Sequence, residues 1–156
     1  MTRKIHLILL LCFISLTASS AFAKQMSSQD RQKWLTEMRT YKHEFFTREL
    51  SLSKEQVSKF FPIYDEMEDK LNNISQQTRE LERKTINDAS ASDLECEKAA
   101  SAVFEQKKTE AEIELDYFDK FKTILSPRQL LNLKPTERKF VQQVVNYKKK
   151  KKTTTN

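Results

Sequence analysis

The side chains best suited to chemistry are few. His6 and His43 are the only histidines in 156 residues, Cys12 and Cys96 the only cysteines, and there is no glycine. A catalytic histidine needs a partner nucleophile or acid within reach, and no spacing here supplies one. A closed transition-metal site takes roughly four ligands of suitable type. His43 and Cys96 provide two at most, and Glu44 points elsewhere on the helix that carries His43. Phosphate-cradling loops need positive φ or close backbone approach, which glycine supplies. The chain is therefore expected to be no enzyme and to hold no metal or cofactor. Asn73-Ile74-Ser75 matches a glycosylation sequon, which matters only in a eukaryotic secretory route and is read as chance.

The amino terminus points to a compartment. Arg3 and Lys4 precede an apolar stretch from Ile5 to Leu16, and Ala21-Phe22-Ala23 follows before Lys24. Positive, apolar and small-residue segments in that order make a cleavable export signal, residues 1–23. The apolar stretch falls short of the roughly 20 residues that a membrane anchor needs. Leu10 and Leu11 precede Cys12, where a lipobox would place small residues, so lipidation is discounted. Cleavage after Ala23 leaves Cys96 as the one cysteine of the mature chain, which excludes an intramolecular disulfide. A free, buried thiol is expected there, with an intermolecular disulfide as the alternative.

Charge is unevenly placed. Of 28 basic residues, Arg3 and Lys4 leave with the signal, so 26 face 22 acidic ones and the mature net charge is +4. Lys148, Lys149, Lys150, Lys151 and Lys152 account for more than this excess. The basic balance is thus a property of the tail. Residues 148–156 are expected to be disordered and solvated. At about 1 kcal/mol per lysine near anionic lipid, the run offers at most a weak, salt-sensitive membrane contact. Nucleic acid is an improbable partner for an exported chain.

The elements that position these residues are read from apolar spacing. Absence of glycine suits helices joined by short polar links. Trp34, Met38, Tyr41 and Phe45 form one stripe over residues 28–49. Val57, Phe60, Tyr64, Met67, Leu71, Ile74, Thr78 and Leu81 keep a three-four alternation along a second helix, which Pro62 is expected to bend by removing one backbone donor and crowding the preceding turn. A polar break follows at residues 87–92, and Ser92 with Glu95 forms a capping-box pattern. A third helix carries Ala100, Phe104, Ala111, Leu115, Phe118, Phe121 and Leu125, with a highly charged and partly exposed middle. A short fourth helix after Ser126 is expected to break at Pro135, which lacks the N–H a helix interior requires, and to resume over residues 136–147. The fold class is all-α, with about four helices in one domain over residues 24–147.

Two pentads share the form L-S-x-x-Q: Leu52-Ser53-Lys54-Glu55-Gln56 and Leu125-Ser126-Pro127-Arg128-Gln129. Each serine suits an N-cap, and each glutamine three residues on can return a bond to the cap's N–H. Leu52 and Leu125 sit where a hydrophobic staple onto Val57 and Leu130 would start. Pro127 falls at the first helical position, where proline is best tolerated. One such pentad says only that a helix begins. Two copies separated by a long helical hairpin, behind an export signal, resemble the LTxxQ (Spy/CpxP-like) family of bacterial periplasmic proteins, with serine for threonine. Phe60-Phe61-Pro62-Ile63-Tyr64 and Glu137-Arg138-Lys139-Phe140 look like its Bacteroidetes-type variant. The resemblance covers about residues 31–145; Pro135 departs from the pattern.

The resemblance implies a bent four-helix hairpin, an antiparallel homodimer with a curved cradle, and a periplasmic location. It also implies ATP-independent binding of unfolded or misfolded envelope proteins under stress. The alternative it carries is a regulator, in some relatives metal-responsive, that binds one membrane stress-signalling protein. Phe45, Phe46, Phe60, Phe61, Tyr64, Phe104 and Phe118 are the candidate client- or partner-binding residues. Adjacent rings such as Phe45-Phe46 and Phe60-Phe61 lie about 100° apart on a helix, so one of each pair is expected off the core face. Widened core stripes are the favoured reading for most single positions, with some exposed apolar surface expected for the set as a whole. Mixed charges such as Glu66, Glu68, Asp69 and Lys70 read as a solvated face with i,i+4 pairs. Basic residues near exposed rings are the better candidates for capture.

Overall fold

The computed structural model describes residues 27–154, with side chains as far as residue 146. The expected signal peptide, residues 1–23, lies outside the described residues. Those described form four helices and no strand: α1 Ser28–Glu49, α2 Lys54–Asn87, α3 Asp93–Phe121 and α4 Pro127–Thr154. The fold is all-α. No helix among them is long and apolar enough to cross a membrane.

The described residues divide into two units between Glu37 and Met38. Residues 27–37 are exposed throughout and bury no side chain that could join a core. Their order is local. The Ser27 hydroxyl accepts from the Asp30 N–H at 3.1 Å, and Lys33 lies 4.0 Å from Glu37.

The second unit is held by an aromatic core to which all four helices contribute. Phe45 and Phe46 come from α1, Phe60, Phe61, Tyr64 and Met67 from α2, Tyr117 and Phe121 from α3, and Leu133 and Phe140 from α4. Ring centroids of Phe60 and Phe121 lie 5.1 Å apart, Phe46 and Tyr64 5.3 Å, and Phe45 and Phe140 5.6 Å. These are tilted or edge contacts, the arrangement that ring quadrupoles favour. Each such side chain, once buried, adds about 1.5–3 kcal/mol.

With no glycine available, the α1–α2 turn needs a substitute. Ser51 takes φ 51°, in the left-handed region. The Leu52 N–H donates to the Thr47 carbonyl at 2.9 Å, and the Ser51 N–H to the Arg48 carbonyl at 3.2 Å. That pair of bonds is the Schellman closure of a helix C-terminus, whose left-handed position glycine usually fills.

Both interior prolines are carried without interruption. Pro62 stands inside α2 on its exposed side. The carbonyl it leaves unbonded is that of Ser58, an exposed residue open to water. The expected break at Pro135 does not occur: α4 runs through it to Thr154. Its freed carbonyl belongs to exposed Leu131, where water can again replace the missing donor. Buried Leu133, Thr136 and Phe140 hold the helix on either side. The backbone expected to be disordered from residue 148 is helical as far as Thr154. Lysine is a good helix former, and cations at a helix C-terminus oppose its partial negative charge.

Candidate functional site

The two pentads meet. Ser53 and Ser126 each cap a helix. Gln56 N–H donates to Ser53 Oγ at 3.2 Å and Ser53 N–H to Gln56 Oε1 at 3.0 Å. The same pair of bonds joins Ser126 and Gln129, at 3.3 and 2.9 Å. The glutamines then reach across. Gln56 Nε2 donates to Gln129 Oε1 at 2.8 Å and to the Ile124 carbonyl at 3.0 Å. Gln129 Nε2 donates to Gln56 Oε1 at 3.2 Å and to the Leu50 carbonyl at 3.1 Å. Each amide therefore caps its own helix, binds its counterpart, and fills an acceptor in the turn preceding the other helix. Leu52 and Leu125 are buried, and Val57 and Leu130 pack against the same core. Spacing alone marks two helix starts; it gives no sign that the glutamines pair.

Five of the seven candidate rings are core residues. Phe45, Phe46, Phe60, Phe61 and Tyr64 are all buried, as widened core stripes require, and neither ring of either adjacent pair lies off the core face. The reason is coverage from two sides. Phe60 faces Phe121 of α3, while Phe61 lies under the His43 ring of α1 at 3.9 Å, nearly parallel. Phe45 and Phe46 both meet Phe140 of α4.

Phe104 and Phe118 are on the surface, 70% and 40% exposed. The stripe assigned to the third helix merges two faces. Ala99, Tyr117 and Phe121 are buried and Ile113 packs against the core that holds the two rings, whereas Phe104, Ala111, Leu115 and Phe118 point outward. The outward set is spaced seven, four and three apart, which keeps it on one face of α3. Leu115, 64% exposed, belongs with the two rings. Ammonium groups accompany them. Lys107 Nζ lies 5.7 Å from the Phe104 centroid and Lys122 Nζ 5.6 Å from that of Phe118. An apolar stripe flanked by cations suits weak capture of exposed hydrophobic, acidic segments. On α4, exposed Leu131, Val141 and Val145 went unsingled as surface residues.

α1 and α2 are joined by a charge ladder. Arg39 binds Asp69 at 2.6 Å, Lys42 pairs with Glu68, and His43 Nε2 lies 2.8 Å from Asp65 Oδ1. His43 is thus engaged by a carboxylate and a ring. Among the described residues, no group of three or more histidine, cysteine, aspartate or glutamate side chains is placed to hold a metal ion. Cys96 is free and exposed, which corrects the buried thiol expected there. It sits on the first turns of α3, where Ala99 alone is buried.

A cleft of about 210 Å³ opens beside the core. Phe46, Met67, Leu71 and Phe140 line it together with Lys42, Glu68, Glu114, Lys134 and Glu137. Lys134 Nζ lies 2.8 Å from Glu114 and 3.2 Å from Glu137. Burial works against its charge, but the two carboxylates outweigh it and hold its pKa above the usual lysine value. Burial pushes the Glu137 carboxyl above the usual glutamate range, against the opposing pull of Lys134. At the α3 N-terminus the sign reverses: bonds from Ser92 hold the Glu95 carboxyl below its usual range.

No family model, curated protein or solved structure matches the chain.

Proposed function

We propose that this chain is an exported, ATP-independent binding protein of the LTxxQ type, which holds non-native envelope proteins on the outer face of α3. The observation that carries this is the stripe of Phe104, Leu115 and Phe118, apolar and exposed, with Lys107 and Lys122 beside its rings. Contiguous exposed apolar surface marks an interaction site more often than scattered single residues do. The paired pentads support the family reading, because both glutamines have a shared task that a chance repeat would not need. The signal-like first 23 residues support a periplasmic location. A homodimer would extend the stripe across two copies.

Light scattering of an aggregating model protein tests this. Stoichiometric amounts of the protein are expected to suppress scattering at low ionic strength, and less so once salt screens the lysines. No suppression at low salt, together with recovery of one stoichiometric membrane partner in a pulldown, would replace the holdase by the signalling regulator.

A further inference from the structure

Tyr64 is 1% exposed. Its hydroxyl lies 3.1 Å from Glu137 Oε1 and 3.4 Å from Glu68 Oε1. Burial and the two carboxylates push its pKa far up, so the phenol keeps its one proton. That proton serves one carboxylate at a time. With both carboxylates ionised, one contact would set oxygen against oxygen with nothing between them. Glu68 has Lys42 from α1 as its ion-pair partner. Glu137 has Lys134 of its own helix, which Glu114 of α3 shares at closer range. Around this point three carboxylates face two ammonium groups.

We propose that Glu137 is a proton-binding site that latches α4 onto α2. Its acid proton is donated to the Tyr64 oxygen while Tyr64 donates to Glu68, and loss of that proton loosens the cleft over Met67, Leu71 and Phe140. Ionised Glu137 meets Glu68 and Glu114 across the cleft, with half a share in Lys134 to offset them. This device is independent of client binding on α3, since neither Phe104 nor Phe118 lines the cleft.

The sign follows from linkage. A carboxyl whose folded pKa lies above its unfolded value binds more protons when folded. Its contribution is complete below the ordinary value of 4.5 and is lost as pH rises through the folded pKa. Glu137→Gln keeps the side-chain shape and cannot ionise. The ratio of folding constants, variant over wild type, is expected to climb with pH, tenfold for each unit between folded and unfolded pKa. Urea unfolding of both proteins from about pH 4 to about pH 8 reads this ratio. A ratio flat with pH, or one that falls, overturns the proposal.

A second measurement needs no variant fold. Titration of the Glu137 carboxyl carbon by NMR in the wild-type chain is expected to show a pKa above the ordinary glutamate value; a value at or below it overturns the proton site. Hydrogen exchange completes the test. Corrected for intrinsic rates, protection around residues 133–141 is expected to fall as wild-type Glu137 ionises. Protection that stays constant through that titration overturns the latch.

Discussion

Phe121 and Phe118 are one helical turn apart on α3 and have opposite fates. Phe121 is 2% exposed and packs on Phe60; Phe118 is 40% exposed and meets a lysine. Three residues apart, they sit only about 60° from each other, so the boundary between the packed and the open side of α3 falls between them. The inner side is closed by rings from α2 and by the paired glutamines below them. The outer side, carrying Phe104 and Leu115 as well, is left to solvent and cations. Ring content alone therefore cannot separate stability from binding; the face can.

Substitution should separate them in turn. The largest effect is expected from Phe121→Ala, which opens a cavity where this ring packs on Phe60, Tyr64 and Tyr117, and should cost about 3–5 kcal/mol in urea unfolding. Phe118→Ala and Phe104→Ala should each stay within about 1 kcal/mol of wild type, because little of either ring leaves a packed environment. Equal losses at Phe121 and Phe104 would erase the distinction between faces.

The glutamine junction should rank next. Gln56→Ala removes three cross-junction bonds and half a capping box, and a loss of about 1–3 kcal/mol is expected. Gln129→Ala should resemble it. Because the amides bind each other, the double variant should lose less than the two single losses added, by at least about 0.5 kcal/mol. Additive losses would mean that each glutamine acts as a cap alone. A gain is expected at Ser51→Gly, by about 1 kcal/mol, since glycine takes the left-handed conformation without a Cβ clash. No gain would mean the turn is held by its bonds whatever residue occupies it.

The smallest effect contrasts two carboxyls. Glu95 is held below its usual range, so its support of the α3 start is present above the unfolded pKa and fades as pH falls through the lower folded value. Glu137 has the reverse sign. Glu95→Gln should flatten the acid limb of the stability profile by lowering stability at neutral pH, where the contribution is present, and not at acid pH, where it has already been lost.

Much of this architecture was legible in the residues. The three serine caps and their return bonds follow from S-x-x-Q and S-x-x-E spacing, and α2 buries its stripe as far as Thr78. Pro135 departs from its expectation because the lost bond falls at exposed Leu131, where water can take the freed carbonyl, and buried Leu133, Thr136 and Phe140 hold the helix on either side. The α3 stripe misled because residues 104, 115 and 118 and residues 113, 117 and 121 both satisfy helical spacing. Only the partner helix decides which set is inside. The five buried rings of α1 and α2 fit widened core stripes, for adjacent residues can both be buried when two neighbours cover the helix. Nothing local encodes the Gln56–Gln129 pair, which joins positions 73 apart in sequence.

The most direct test of the outer face combines both readouts in one variant. Phe104→Ser with Phe118→Ser should unfold at nearly the wild-type urea concentration yet lose most suppression of client aggregation at low salt. A variant that unfolds like wild type and still suppresses aggregation as well would contradict the assignment of client binding to this face of α3.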